Sequence, residues 1–238
     1  MKIISFHKLK NTLTTEYKSL TFISCFKDET LTVQKQLSFQ QLTKKEKYNF
    51  LTVNNIAITS KNAALWLAKN LKDWTGNIYI NSIKSSNLLQ HMPNVQISVS
   101  KQSYAANLAE KIVTNTTEPV LHLTGNLGLT HLEDELNKNN IECQRLEVYE
   151  TILTPTQLDL DEIDLLIFSS PSQVVSFFKM NPWKKSIFAL CIGKTTAKAL
   201  ENFGVKQHSI FYPKNPGIET MLELLPEINE KLEQQKTR

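Results

Sequence analysis

Short apolar segments alternate with amphipathic segments along almost the whole chain. The apolar segments are rich in Ile, Val, Leu and Phe, as buried strands are, and in the segments between them apolar residues recur at helical spacing. Strands that alternate with helices favour parallel sheets covered by helices on both faces. The pattern therefore predicts an α/β protein.

The predicted strands are the apolar segments 1–6, 20–26, 55–59, 77–80, 95–99, 120–123, 141–148, 164–168, 187–192 and 207–211. Segment 31–37 alternates apolar and polar residues, as an exposed strand or a linker does. The predicted helices are the amphipathic segments 10–18, 40–48, 62–71, 85–90, 105–114, 129–138, 171–178, 195–202 and 218–233. A segment around Pro155 has neither period, and it predicts a place where the chain crosses from one part of the fold to another.

The pattern also repeats inside the chain. Residues 56–95 match residues 166–205 at a constant offset, so that Ser60 corresponds to Ser170. Asn62 then corresponds to Ser172, and the match is one of pattern more than of identity. A repeated strand-turn-helix unit favours two similar lobes over one long sheet.

Each repeated half lacks strands that other parts of the chain can supply. The strand-helix-strand segment 1–26 can complete the C-terminal lobe, and segment 119–146 can complete the central one. We therefore predict two flavodoxin/Rossmann-like lobes with parallel sheets, joined by a two-stranded β connector, with a cleft between them. The predicted boundaries are 1–30 with 155–238 for one lobe, 38–147 for the other, and 31–37 and 148–154 for the connector strands.

Composition and charge limit the classes of partner that the protein can bind. The chain has 238 residues, 41% of them hydrophobic and 21% charged, which is typical of a globular protein with one or two domains. Lys and Arg outnumber Asp and Glu by 27 to 23. This small excess of positive charge suits the binding of a small anion. It is far below the positive charge of proteins that coat nucleic acids, so we expect no nucleic-acid partner.

The cysteines and the apolar run lengths indicate the compartment. Cys25, Cys143 and Cys191 are far apart and have no paired spacing, which is typical of buried thiols in a reducing compartment and disfavours a disulfide framework or a zinc site. The first apolar segment is too short for a secretion signal, and no run approaches the roughly 20 apolar residues of a membrane span. We expect a cytoplasmic monomer with no membrane partner and no metal.

Short polar side chains follow several predicted strands, where ligands of open parallel sheets bind. Helix N-termini at this edge present unpaired amides and a partial positive charge to an anion, and Pro171 suits a first helical turn. The candidate anion ligands in the two equivalent turns are Ser169, Ser170, Ser172, Thr59, Ser60 and Asn62.

Two glycine-bearing turns extend this set. Gly193 lets the backbone approach a ligand closely beside Lys194, and Thr195 or Thr196 can cap the following helix. Gly125 lies in a further strand-to-helix turn that lacks the full dinucleotide fingerprint. The alternative for every such turn is a helix cap with no ligand, because Ser, Thr and Asn favour that position in any fold.

One tyrosine stands apart as a candidate catalyst. The chain has no helical His-Glu metal motif, no phosphate loop and no nucleophile elbow, and its five histidines are scattered singly, as surface or structural histidines are. Tyr149 lies at the predicted crossing, where a phenol can face the cleft and donate a proton or a hydrogen bond. The alternative is a tyrosine packed on the connector, with its hydroxyl bonded to the backbone.

Four motifs together resemble the uroporphyrinogen-III synthase family. The motifs are Ile58-Thr59-Ser60-Lys61-Asn62-Ala63, Val148-Tyr149-Glu150-Thr151, Phe168-Ser169-Ser170-Pro171-Ser172 and Ile192-Gly193-Lys194-Thr195-Thr196-Ala197. Each motif alone is weak, but their order and spacing make the combination specific, and the resemblance covers nearly the whole chain.

The resemblance implies an enzyme that needs no cofactor and closes over the linear tetrapyrrole hydroxymethylbilane. Such an enzyme eliminates the terminal hydroxyl as water to form an azafulvene, passes through a spiro intermediate, inverts the last pyrrole ring and closes the macrocycle as uroporphyrinogen III. By position in the motifs, Tyr149 would assist departure of the hydroxyl. The residues that would hold acetate and propionate groups are Thr59, Ser60, Ser170, Ser172, Thr195 and Thr196.

The chain also departs from the family pattern. No arginine follows the first strand, where the sequence is Ser5-Phe6-His7-Lys8, Ile83 stands where the repeat has Gly193, and Leu129 stands where members often have arginine. These departures favour, as an alternative, a non-catalytic two-lobed protein that binds a tetrapyrrole or another small anion. A nucleotide-dependent enzyme on a flavodoxin-like lobe is a third alternative, which the incomplete glycine pattern disfavours.

Overall fold

A computed structural model describes residues 1–6, 9, 25–43, 45–47, 52–101 and 104–237, and for residues 25–28 it describes the backbone alone. The predicted helix 10–18, most of the predicted strand 20–26, and the pair His7 and Lys8 lie outside the described residues. The chain divides into two compact units. The first unit is Met1–Val33 with Leu153–Arg238, and the second unit is Gln34–Ile152.

The described strands are β1 (Lys2–Ser5), β2 (Cys25–Asp28), β3 (Thr32–Gln36), β4 (Asn55–Ile58), β5 (Gly76–Ile80), β6 (Val95–Val99), β7 (Val120–Gly125), β8 (Cys143–Leu153), β9 (Leu165–Phe168), β10 (Phe188–Cys191) and β11 (Ile210–Phe211). The helices are α1 (Lys61–Asn70), α2 (Ile83–Ser86), α3 (Ala105–Val113), α4 (His131–Lys138), α5 (Pro171–Phe178), α6 (Lys194–Asn202), α7 (Ile218–Leu222) and α8 (Leu225–Lys236). Short 3-10 helices lie at Phe39–Gln41, Asn87–Leu89 and Gln207–Ser209.

The sheet of the first unit has the strand order β11-β10-β9-β1-β2, and all its described pairs are parallel. Strands β9 and β10 are buried at every position, as parallel strands covered on both faces are. Phe177 of α5 and Leu200 of α6 pack in the cluster on one face. Met221 and Ile228 pack in a separate cluster with other residues of the sheet, so this unit has a core on each side.

The sheet of the second unit has the order β3-β8-β7-β4-β5-β6. Strands β4 to β8 form parallel pairs, whereas β3 runs antiparallel to β8, because the Leu37 amide donates to the Val148 carbonyl and the Thr154 amide donates to the Leu31 carbonyl. Trp66 of α1 belongs to the cluster on one side of the sheet. The cluster on the other side collects apolar residues of α3 and α4.

These sheets confirm the predicted α/β class with parallel strands. The two strand orders also correspond: β6-β5-β4-β7-β8 matches β11-β10-β9-β1-β2 position by position, although the chain enters the two sheets at different strands. In the second unit, successive strands are added to one side of β4 up to β6 and then to its other side from β7, so the order reverses between β4 and β7. In the first unit the corresponding reversal lies between β9 and β1. Ligands of open α/β sheets bind beyond the carboxyl ends of the strands at such switch points.

Several predicted elements differ in extent. The predicted helix 40–48 begins as the 3-10 helix Phe39–Gln41, whose C-cap is Leu42. The predicted helix 218–233 is split into α7 and α8, because Pro226 lies in the first turn of α8, has no amide proton and would clash with the carbonyl four residues earlier. The predicted helix 85–90 is the short α2 followed by a 3-10 helix, and it starts early because Ser82 caps it. Strand β8 continues past residue 148 to Leu153, where β3 pairs with it.

Candidate functional site

The Ser169–Ser172 turn of the first unit lies directly after β9, at the switch point. Ser170 is the N-cap of α5, and its Oγ accepts a hydrogen bond from the Gln173 amide at 3.3 Å. Its hydroxyl is also 2.9 Å from the Oγ of Ser172, and both side chains are half-buried. The turn therefore presents a pair of linked hydroxyls at the N-terminus of a helix, which is an arrangement suited to an anion.

Gln173 organises this turn, and the sequence interpretation did not select it. The side chain is buried, its Nε2 donates to the Phe6 carbonyl just after β1, and its Oε1 accepts from the Ser169 amide at 2.7 Å and the Ser169 Oγ at 3.0 Å. A Gln three residues after a Ser N-cap is a capping-box pattern, and that signal could have drawn attention to it. The bond to Phe6 ties the ends of β1 and β9 together.

The turn before α6, at Gly193, is capped by a different residue from the one predicted. Gly193 is itself the N-cap of α6 and makes no side-chain cap, so the prediction that Thr195 or Thr196 caps this helix is wrong. A Cβ on Gly193 would lie 3.1 Å from Cγ of Pro216, so packing explains this glycine. Lys194 and Thr195 are exposed and can reach a ligand, whereas Thr196 is only 2% exposed.

The equivalent turn of the second unit follows β4. Ser60 is the N-cap of α1, and its Oγ accepts from the Ala63 amide at 3.1 Å, so Ser60 and its counterpart in the first unit cap their helices in the same way. Asn62 is half-buried, and its carbonyl accepts from Nε2 of Gln36 at 3.3 Å. Thr59, also half-buried, ends the strand at the switch point.

Tyr149 lies on β8 beside the end of β7. A register shift after Thr124 places Gly125 opposite Tyr149, and a Cβ on Gly125 would lie 2.5 Å from Cε2 of the tyrosine ring. Only glycine leaves room for the ring in this position. The Tyr149 side chain is half-buried, and its hydroxyl has no hydrogen-bond partner among the described residues. The phenol is therefore free to bond a ligand.

A reciprocal pair of hydrogen bonds holds the turn after β7 to β8. The Thr151 amide donates to Oδ1 of Asn126 at 2.8 Å, and Nδ2 of Asn126 donates to the Thr151 carbonyl at 3.4 Å. The Thr151 hydroxyl in turn donates to Oε1 of Gln34 at 2.8 Å. These bonds fix the backbone on the C-terminal side of Tyr149.

A buried polar network lies behind the same turn. His122 of β7 is 1% exposed, and its Nδ1 lies 2.8 Å from Oε1 of Glu133 on α4, while its Nε2 lies 2.9 Å from Oγ1 of Thr59. Nη1 of Arg145 on β8 donates to the same Glu133 oxygen at 3.2 Å. The two carbonyls that accept from Nη2 of Arg145, at 2.8 and 3.0 Å, are those of Gly125 and Gly128.

The sequence interpretation placed His122 among structural histidines and did not select Glu133 or Arg145. The sequence did contain one signal for this network, because His122 interrupts the apolar residues of β7. The pairing of His122 with Arg145 in register on adjacent strands supplies the rest of the network.

The surroundings of Glu133 keep it ionised. Burial raises the pKa of this carboxyl, but the hydrogen bond and the charge of His122, together with the hydrogen bond from Arg145, outweigh burial and lower the pKa from 4.5 to about 2. An ionised carboxylate only accepts hydrogen bonds, which determines the direction of each contact in the network.

Glu133→Gln should remove a pH-dependent part of the stability. Because the folded-state pKa is depressed, the stabilisation is present above the unfolded pKa and is lost as the pH falls towards about 2. A shift from 4.5 to about 2 corresponds to about 3 kcal/mol of unfolding free energy. Urea unfolding between about pH 6 and pH 2.5 should show the wild-type advantage shrinking as acid is added.

The matched control is Glu135→Gln on the same helix, where Glu135 pairs with Lys138 at 2.7 Å and is 40% exposed. We expect this control to change stability by less than about 1 kcal/mol at any pH. Parallel stability curves for the wild type and Glu133→Gln would contradict the assignment of a depressed pKa to Glu133.

The two cysteines whose side chains the structure describes offer no nucleophile. Burial raises the pKa of Cys143 to about 12 and also raises the pKa of Cys191, so both thiols stay protonated. Within the part of the chain that the structure describes, no group of three or more His, Cys, Asp or Glu side chains could hold a metal ion. None of the described helices is both long and apolar enough to cross a membrane.

Comparisons with known proteins agree with this geometry. The family model described as uroporphyrinogen-III synthase HemD matches residues 34–223. The chain is 29% identical over 129 residues to the chloroplastic uroporphyrinogen-III synthase of Oryza sativa, a match that covers 48% of this chain and 39% of the rice protein. The match thus spans about two-fifths of the length of that curated relative.

Two solved structures share the fold. The uroporphyrinogen-III synthetase of Helicobacter pylori is 23% identical and has a TM-score of 0.62, with 95% of this chain and 99% of that chain covered. A mutant uroporphyrinogen III synthase of Thermus thermophilus is 16% identical and has a TM-score of 0.61, with 97% and 99% covered. At these identities the likeness supports the fold alone.

Proposed function

Because the chain belongs to the uroporphyrinogen-III synthase family, we propose that it cyclises hydroxymethylbilane to uroporphyrinogen III. The reaction removes the terminal hydroxyl as water, inverts the last pyrrole ring and closes the macrocycle without a cofactor. The protein is then a cyclising hydro-lyase of haem biosynthesis. The observation that carries the proposal is the family match over residues 34–223, which includes both turns of the second unit and those of the first up to α7.

The chemistry of the two sheet edges supports this substrate. A linear tetrapyrrole carries carboxylates on flexible acetate and propionate groups, and the helix N-termini at these edges offer amides and hydroxyls to such groups. Ser170 and Ser172 form one pair of linked hydroxyls at the start of α5. Lys194 and Thr195 are exposed at the start of α6 and add a positive charge and a hydroxyl.

Tyr149 is proposed as the acid that assists departure of the substrate hydroxyl. Its phenol has no hydrogen-bond partner among the described residues, and the reciprocal bonds of Asn126 with Thr151 fix the strand beside it. A hydroxyl leaves readily only when it is protonated as it departs, so a positioned phenol supplies what this step needs.

Other side chains at this edge are apolar. Ile83 is 70% exposed and Leu129 is 47% exposed, so neither contributes to the core of the second unit. We propose that they face the apolar parts of the substrate and do not bind its carboxylates. A cytoplasmic location, a monomeric state and the lack of a nucleic-acid partner stay predictions.

The isomer of the product tests the proposed function. Freshly made hydroxymethylbilane closes spontaneously to the type I isomer, so incubation with the protein should yield mainly the type III isomer, separable by chromatography. A heat-denatured sample of the same protein serves as the control and should yield type I. Type I product alone from the folded protein would exclude the synthase activity.

A further inference from the structure

The hydrogen-bond directions in the buried network can be assigned from its partners. Ionised Glu133 only accepts and Arg145 only donates, so the proton in the contact between Glu133 and His122 belongs to Nδ1 of the histidine. While the imidazole is neutral, Nε2 carries a lone pair and accepts a hydrogen bond from the Thr59 hydroxyl; in the imidazolium, whose charge lowers the pKa of Glu133, Nε2 donates instead. In the neutral state, Oγ1 of Thr59 therefore offers only lone pairs to a ligand.

This arrangement of hydroxyl, imidazole and carboxylate is one that moves protons. A base in hydrogen-bond reach of a hydroxyl, oriented by a third group, accepts the hydroxyl proton when that hydroxyl reacts. His122 is 1% exposed, whereas Thr59 is half-buried at the carboxyl end of β4. Thr59 is therefore the route by which a substrate proton can reach His122.

We propose that Thr59, His122 and Glu133 form a proton-accepting relay, for which a substrate pyrrole N–H is the donor. This inference rests on the proposed function and adds a base to it. Thr59 is the catalytic residue of the relay, since it would touch the substrate. His122 and Glu133 are positioning residues that act through it.

The proton balance of the dehydration needs such a group. When water leaves a hydroxymethylpyrrole, the C–O bond breaks, one proton is added to the departing hydroxyl and one is removed from the ring nitrogen. Tyr149 supplies the first proton. Thr59 accepts the second from the pyrrole N–H while its own hydroxyl proton moves to Nε2 of His122. The products are water, the azafulvene, a phenolate and an imidazolium, with no oxidant or reductant consumed.

The charges around His122 suit this role. Among the described residues, the charged groups that contact the network are Glu133 from α4, Arg145 from β8 and Glu147, whose carboxylate is 3.7 Å from Nε of Arg145. Oε2 of Glu133 is buried and has no hydrogen-bond partner among the described residues. Part of the negative charge of the carboxylate is therefore not compensated by hydrogen bonds, and it can stabilise an imidazolium beside it.

The relay also changes the role of Thr59. The resemblance implied that Thr59 holds an acetate or propionate group. A hydroxyl whose proton is already in a hydrogen bond to His122 cannot also donate that proton to a carboxylate. Within the second unit, the helix N-terminus capped by Ser60 is the better carboxylate site.

His122→Phe tests the relay in the full-length protein. We expect kcat for the type III isomer to fall about tenfold with KM nearly unchanged, and the acid limb of the kcat–pH profile to flatten because the base is lost. The matched control is His131→Phe, since His131 is exposed at the start of α4 and has no role in the network. The control should keep both the rate and the pH profile.

A second set of variants covers the case in which His122→Phe does not fold. Thr59→Val should lower kcat about tenfold, and Thr59→Ser, which keeps the hydroxyl, should restore it. A rise in KM alone for Thr59→Val would overturn the relay and indicate a carboxylate ligand. Nitrogen-15 NMR of the histidine side chains should show the Nδ1–H form of His122, and an Nε2–H form would also overturn it.

These results separate the relay from the proposed function. Wild-type protein that makes only the type I isomer would defeat the synthase activity itself. Wild-type protein that makes the type III isomer, with a His122→Phe variant that is equally fast and has the same pH profile, would defeat the relay alone.

Discussion

Tyr149→Phe is expected to lower kcat for the type III isomer about 100-fold and to leave KM and the unfolding free energy nearly unchanged. The hydroxyl has no partner among the described residues, so its removal breaks no hydrogen bond that the structure describes. The ring stays packed over Gly125, because phenylalanine has the same shape. Steady-state kinetics with product separation, together with urea unfolding, measure the three quantities.

The matched control is Tyr212→Phe. Tyr212 is also half-buried, but it packs against the core of the first unit near Ile210. We expect its turnover to equal that of the wild type. Unchanged turnover in Tyr149→Phe would remove Tyr149 from the mechanism and leave departure of the hydroxyl to another donor.

Gly125→Ala should also reduce turnover about 100-fold, although it adds a single methyl group. The new Cβ would lie 2.5 Å from Cε2 and 2.6 Å from Cζ of Tyr149, closer than atoms in ordinary contact. The ring is the outer part of a side chain, so it can move by about 1 Å without unfolding the protein, and a displacement of that size is enough to misplace a proton donor. Kinetics, with circular dichroism as the check on folding, measure the effect.

Gly204→Ala is the control for a general effect of losing a glycine. Gly204 has a φ of +84°, so alanine there is strained by about 1 kcal/mol, but a Cβ would meet no atom within 4 Å. This variant should lose stability and keep its turnover. The double variant Gly125→Ala with Tyr149→Phe should be about as slow as Tyr149→Phe, because both changes remove the same group. Additive losses would contradict this explanation of Gly125.

The alternation of strands and helices was predictable because it depends on residues close together in the chain. Strands β9 and β10 are apolar at every position and were predicted from that pattern, as was the parallel α/β class. The internal repeat was informative because the same local pattern occurs twice in the chain. It paired Ser60 with Ser170, and both side chains cap the helix that follows them.

The organising residues of the candidate site were missed, because their partners are distant in the sequence. Gln173 bonds the carbonyl of Phe6, a residue 167 positions away, and no local pattern shows that β1 and β9 are neighbours. Thr59 and His122 are 63 positions apart and meet because β4 pairs with β7. The wrong cap assigned to Thr195 or Thr196 has a local cause, since the helix starts one residue earlier than its apolar period indicates.

The amino-acid order alone was enough to establish the fold class, the correspondence of Ser60 with Ser170, the family resemblance and the candidacy of Tyr149. The fold class depends on residue types within a few positions of one another, where propensity and periodicity act. The family resemblance, and with it the role given to Tyr149, depends on the order and spacing of four short motifs along the chain. The folded chain was needed to show that Gly125 lies against the ring of Tyr149 and that Oγ1 of Thr59 lies 2.9 Å from Nε2 of His122. Those relations follow from strand order and register, which depend on how the whole sheet packs its two faces.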